Sequence, residues 1–425
     1  FRTIVNDIDA TFTATIGGDV LFLRTNWNAP NFKVMAVDLH NPVGQRWRPV
    51  IPAGKTVVTS ITAAGGRLLA SHLEDVQPRL RLYTTLGRRI GEVPLRSIGS
   101  VGSVTGDWGQ DEAFFSFSSF AQPTTIFRYD LNSGRLEVWS RLSVPMPSAN
   151  INVQQVWYSS KDGTKIPMFI AHRADLELNG TNPTLLTGYG GFNVSQLPAF
   201  SPRAMFWIEH GGIYALPSLR GGGEFGEAWH QAGMLERKQN VFDDFIAAAE
   251  WLIDKRYTTP SKLAISGGSN GGLLVGAALT ARPELFQAVV CSYPLLDMIR
   301  YHRFLVARFW VPEYGSSENE AEFKYLYAYS PYHRVSDGTG YPAVLLISGD
   351  SDTRVAPLHA RKMTARLQAA TRSLGRPILL KYYTKAGHSG GLPVTKTIED
   401  LTDELLFLGW QLGMIRGATT NSIGP

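Results

Sequence analysis

The stretch Leu263-Ala-Ile-Ser-Gly-Gly-Ser-Asn-Gly-Gly272 constrains the fold more than any other part of this chain. An apolar run ends in glycines around Ser269 and flows into Leu273-Leu-Val-Gly-Ala-Ala-Leu279, so a strand, a sharp turn and a helix are predicted in succession. Gly267, Ser269 and Gly271 supply the G-x-S-x-G pattern of a nucleophile elbow. The glycines let the backbone turn tightly and bring the helix N-terminus under the serine, where a larger side chain would collide. Ser269 is therefore the candidate nucleophile.

An elbow needs a large sheet behind it, and 425 residues with 44% hydrophobic and 18% charged are enough for two domains with a sizeable core. The net charge of +5 is small for this length, and Lys and Arg are scattered, so a nucleic-acid partner is not expected. The single cysteine, Cys291, excludes an internal disulfide and a multi-cysteine zinc site. Its setting, Ala288-Val-Val-Cys-Ser292, reads as a buried strand. No run of about 18 apolar residues occurs, so no membrane span is expected. Phe1-Arg-Thr-Ile-Val-Asn-Asp has neither an initiator methionine nor a signal-peptide pattern, so the natural N-terminus is expected upstream. A cytoplasmic location is expected, with a periplasmic one as the alternative.

Two regions differ in pattern. Up to about residue 150, Asp19–Thr25, Arg67–Leu73 and Glu112–Ser118 are β-like runs that recur every 45 or so residues, the spacing of propeller blades. Each is followed by a proline turn, at Pro30, Pro78 or Pro123, and by a second strand. Residues 1–150 thus read as a partial β-propeller of about three blades, with an antiparallel sandwich as the alternative. A closed propeller takes roughly four to eight blades, so the remaining strands are expected outside this chain or from another polypeptide. Residues 151–425 alternate strands with longer amphipathic segments, as an α/β domain with a mostly parallel sheet does. The strand candidates are Thr184–Thr187, Gly212–Leu216, Leu263–Ser266, Ala288–Cys291, Ala343–Ile347 and Ile378–Tyr382. The clearest helices are Asp243–Ile253 and Thr397–Leu408.

A serine hydroxyl is a weak nucleophile, so it needs a histidine to take its proton and an acid to hold the imidazole tautomer. In an α/β-hydrolase these follow in the order serine, acid, histidine. Ala343-Val-Leu-Leu-Ile-Ser-Gly-Asp-Ser-Asp352 ends a late strand with two candidates, Asp350 and Asp352, and the next strand leads to His388 among glycines. One oxyanion donor is expected from the Asn270 N–H, and a second from the glycine-rich loop Gly188-Tyr-Gly-Gly-Phe192. His230, His302, His333 and His359 lack such a setting and read as structural.

The region from 151 onward resembles the prolyl oligopeptidase family of serine peptidases. The resemblance rests on Gly188-Tyr-Gly-Gly-Phe-Asn193, Leu219-Arg-Gly-Gly-Gly-Glu-Phe-Gly226, Gly267-Gly-Ser-Asn-Gly-Gly272, Asp352-Thr-Arg-Val355 and Lys385-Ala-Gly-His388, five motifs in the family's order. It implies an α/β-hydrolase domain capped by a β-propeller, and a triad of Ser269, Asp352 and His388. Tyr189 would donate its hydroxyl to the oxyanion beside the Asn270 N–H. Arg354 would bind the substrate carbonyl one residue from the cut. Phe192, Trp310, Tyr314 and Val355 would form the pocket for a proline ring, a compact apolar group that lacks an N–H.

The implied activity is a serine endopeptidase that hydrolyses short peptides on the carboxyl side of proline through an acyl-enzyme. No metal or organic cofactor is implied, and the implied partners are short proline-containing peptides and a missing N-terminal half of the same protein. The chain departs from the family in its length and in Ser389-Gly-Gly-Leu-Pro393 after His388. Two rivals remain: an oligopeptidase cleaving after Arg or Lys, for which Glu313 is the only acid beside the pocket aromatics, and a non-catalytic propeller-bearing binding protein.

Overall fold

The computed structural model describes residues 3–95, 97–144, 150–388 and 393–415, so the Ser389–Leu392 run after His388 lies outside the described residues. The chain divides into two compact units. One comprises Phe1–Ala149 with Leu197–Ser201 and Gly222–His230, and the other comprises Asn150–Gln196, Pro202–Gly221 and Gln231–Pro425.

Among the described residues, the first unit contains three four-stranded antiparallel sheets, each a consecutive meander, as blades of a propeller are. The repeated β-like runs are their second strands, Val20–Thr25, Arg67–Glu74 and Glu112–Ser118. In the last of these, Ala113, Phe115 and Phe117 alternate inward and pack with Leu69, Leu80 and Leu82 of the preceding sheet. Period-two alternation is what commits that strand to one buried face.

One expectation fails here. Pro78 is not in a turn but inside the strand Gln77–Thr84, paired with Leu73. The turn before it consists of Asp75 and Val76, both at positive φ (48° and 65°). Such a two-residue turn matches the strand twist, and proline, locked near φ −65°, is excluded from it.

The second unit is built on an eight-stranded sheet, in the order Ile151–Ser159, Lys165–Arg173, Ile213–Pro217, Thr184–Thr187, Leu263–Gly268, Ala288–Ser292, Ala343–Gly349, Ile378–Tyr383. The first two contacts are antiparallel and the rest parallel. The hairpin Ile151–Arg173 was not among the expected strands; the others coincide with them to within two residues. The predicted helices lie within Gln239–Asp254 and Val394–Leu412. The central strands are buried on both faces, which explains why they read as continuous apolar runs.

Register sets up the site. Gly268 pairs with Ser292, Ser292 with Ile347, and Gly349 with Tyr383, so the residues after four parallel strands leave from one carboxyl edge. That edge is where open α/β sheets bind ligands. Among the described residues, no helix is long and apolar enough to cross a membrane.

Candidate active site

Ser269 stands between the strand Leu263–Gly268 and the helix Asn270–Ala281, with φ 57° and ψ −117°. That is a strained conformation for a residue with a side chain, held because both flanking elements are fixed. Its N–H donates to Ser292 O (2.9 Å), and its carbonyl accepts the first helical bonds from Gly272 and Leu273. The helix is buried from Asn270 through Leu279, so it has no solvent face to release the strain. A Cβ at Gly267 would lie 2.1 Å from Gly271 O, and one at Gly271 would lie 2.7 Å from Gly188 O. The two glycines therefore bring strand, helix and the Gly188 loop into backbone contact.

That loop carries Tyr189, whose phenol lies close enough to Ser269 for the two side chains to interact. Burial raises the Tyr189 pKa, which the positive charge of Arg354 opposes, so the phenol stays a protonated donor at neutral pH. Asn270 opens the helix and ties the loop down: its Nδ2 donates to Tyr189 O (2.5 Å), and its Oδ1 accepts from the Tyr314 hydroxyl (2.7 Å). Asn270 is the first residue of the helix, so its N–H has no carbonyl within the helix to donate to. The neighbouring Leu219-Arg-Gly segment supports the loop. Gly221 O accepts from Asn193 N–H (3.0 Å), and buried Arg220 is anchored by Asp244.

His388 Nδ1 lies 2.7 Å from Asp352 Oδ2, with the imidazole nearly buried and the carboxylate fully so. The other Asp352 oxygen accepts the backbone N–H groups of Arg354 and Val355, both at 2.9 Å. Asp350 does a different job. Its Oδ1 accepts from Lys385 N–H and the Ser351 hydroxyl, both at 2.7 Å, closing the turn that leads to His388. Tyr293 links the two halves of the site: it follows Ser292, the residue that receives the Ser269 N–H, and its ring meets the His388 ring edge-on at 5.5 Å. Sequence reading passed over Tyr293, which has no motif around it.

Phe192, three residues after Tyr189, meets Tyr314 at 5.5 Å and Trp310 at 6.5 Å, both edge-to-face. Trp310 and Phe192 are part-exposed, whereas Tyr314 and Val355 are buried. Arg354 is exposed and close enough to affect Tyr189 electrostatically. Glu313, between the two aromatic residues in sequence, is buried; its Oε1 accepts from Phe192 N–H (3.0 Å) and lies 3.4 Å from Lys238 Nζ. Lys238 also escaped the sequence reading. Among the described residues, no cluster of three or more His, Cys, Asp or Glu could hold a metal.

The chain matches known proteins along nearly its whole length. Residues 198–414 match the model of the prolyl oligopeptidase family, and residues 1–141 match the model of its N-terminal β-propeller domain. This chain belongs to the prolyl oligopeptidase family. A prolyl endopeptidase of Elizabethkingia miricola is 40% identical over 398 residues, covering 93% of this chain and 56% of the relative. A dual function macrocyclase-peptidase of Galerina marginata is 36% identical, covering 97% of this chain and 58% of the relative. A solved prolyl endopeptidase superposes with a TM-score of 0.93 at 44% identity, over 97% of this chain and 61% of that one. The chain thus spans rather more than half the length of the family members it matches.

Proposed function

We propose that this member of the prolyl oligopeptidase family is a serine endopeptidase that cleaves short peptides after proline. The observation that carries the reading is the coupling of Tyr189 to two functions on one loop. Tyr189 lies close enough to Ser269 for their side chains to interact, while Phe192, three residues on, meets Tyr314 and Trp310 edge-on. A ring held between those aromatics would have its carbonyl beside the serine.

In this mechanism Ser269 Oγ attacks the carbonyl carbon as His388 Nε2 takes its proton. Asp352, bonded to Nδ1, fixes the tautomer and stabilises the imidazolium. The tetrahedral oxyanion accepts from the Tyr189 hydroxyl and the Asn270 N–H. Its collapse breaks the C–N bond, His388 gives its proton to the leaving amine, and water then hydrolyses the ester. Arg354 would hold the carbonyl one residue from the cut, and Val355 would complete the ring pocket.

Cleavage after Arg or Lys would require a carboxylate free to face the substrate. Glu313 instead accepts from the Phe192 backbone and adjoins the buried Lys238 ammonium, which favours an uncharged ring. Paired chromogenic peptides ending in Pro or in Arg, assayed with the intact protein, test the reading. Turnover of the Pro peptide with fluorophosphonate labelling at Ser269 is expected. Preference for Arg would transfer the protein to the sister specificity, and absence of labelling on folded protein would favour the binding-protein rival.

A further inference from the structure

We propose that Lys238, buried under the Gly188–Asn193 loop, is a positioning residue that holds the Tyr189 hydroxyl in line for the oxyanion. The inference rests on the activity proposed above and extends it to a residue that touches neither substrate nor triad.

Lys238 precedes the helix Gln239–Asp254 and is 1% exposed. Its ammonium donates to Gly190 O at 2.8 Å, lies 3.4 Å from Glu313 Oε1 and sits 5.2 Å from the centre of the Tyr314 ring. Burying a charged amine is costly unless strong partners are fixed around it. Here each partner belongs to the site. Gly190 is the residue after Tyr189, at φ +62°, and Glu313 also accepts from Phe192 N–H. Tyr314 grips Asn270, which grips Tyr189 O.

The loop has little freedom to drift. Phe192 and Asn193 are at positive φ (57° and 58°), and a Cβ on Gly191 would lie 2.7 Å from Asn270 Nδ2 and 3.0 Å from Lys238 Nζ. One cation thus fastens the backbone on the far side of Tyr189 from the strand that leads into the loop. Without it, Gly190 loses its charged donor and the adjacent phenol loses its fixed direction. Donors aimed in advance are what make an oxyanion site effective, and small misplacements are expensive.

The test is a double-mutant cycle on the intact protein with a proline peptide amide, thermal melting having shown that each variant is folded. Lys238→Met is expected to lower kcat about tenfold or more while KM changes less than about threefold. Tyr189→Phe removes the donor itself and is expected to lower kcat about a hundredfold. In the Tyr189→Phe background, Lys238→Met is expected to cost less than about twofold further, because the group it aims is gone.

A second readout uses two ligands. A peptide aldehyde, whose hemiacetal oxygen occupies the oxyanion position, should bind Lys238→Met about tenfold more weakly, whereas an acyl-pyrrolidine, which fills the ring pocket without forming an oxyanion, should bind within about threefold. Equal losses from Lys238→Met in both backgrounds, or equal weakening of both ligands, would reduce Lys238 to a structural role and overturn the inference alone. A fully active Tyr189→Phe enzyme would overturn the oxyanion assignment together with it.

Discussion

Gly267 offers the sharpest test of the elbow. A methyl group there would lie 2.1 Å from Gly271 O and 2.6 Å from Gly271 C, both backbone atoms of a helix buried on all sides. Carbon atoms in packed proteins do not approach an oxygen much closer than 3.0 Å, so strand and helix must part by about 1 Å. Ser269 lies between them, and a displacement of that size at a reacting atom costs on the order of a hundredfold in rate. Gly268 is the internal control: a Cβ there would meet Ser292 O at 3.6 Å, an ordinary contact, and the residue is exposed. Gly267→Ala is therefore expected to lose about a hundredfold or more in kcat/KM and in fluorophosphonate labelling rate. Gly268→Ala should stay within about threefold. Stopped assays on a proline peptide amide, with melting curves for both variants, measure this directly. Similar activity in the two variants would refute the steric account of the turn.

Other outcomes follow from the same geometry. Ser269→Ala should lower turnover by about 10⁴ to 10⁶ while near-ultraviolet circular dichroism and melting stay unchanged. Trp310→Ala removes the edge-to-face contact with Phe192 and should raise KM for proline peptides about three- to tenfold, with a smaller effect on kcat. His359 gives a pH signature. Burial lowers its pKa to about 4, and its Nδ1 lies within hydrogen-bonding distance of the N–H groups of Leu296 and Asp297. Its folded pKa is below the unfolded value near 6.5, so its contribution is complete above that value and is lost as pH falls toward 4. That loss amounts to about 3 kcal/mol, and chemical denaturation of His359→Gln between pH 7 and 4 should show a correspondingly shallower decline than the parent; identical slopes would remove the assignment.

Sequence alone went furthest where the relevant sterics are local. Gly267 and Gly271 are four residues apart, and their mutual approach is a property of one tight turn, so the pattern of glycines around Ser269 announces the turn by itself. The central strands announce themselves equally well because both faces are buried. The hairpin Ile151–Arg173 was hidden by two local signals: its outer strand is only part-buried and mixes polar with apolar residues, and its inner strand contains Pro167, paired with Trp157. Pro78 misled in the opposite sense, since proline reads as a turn although the turn here is made by Asp75 and Val76.

Spacing left Asp350 and Asp352 equal, two residues apart on one turn. Only the folded backbone directs one carboxylate at the His388 ring and the other at the Lys385 N–H, in the turn that leads to His388. Lys238 shows the limit most clearly. Its bond to Gly190 spans 48 positions, and the Glu313 bond to Phe192 spans 121. Nothing in either neighbourhood of the sequence calls for the other. Short-range exclusion is written into adjacent residues, whereas the partners of a buried charge are chosen by sheet register and helix packing, which exist only once the chain has folded.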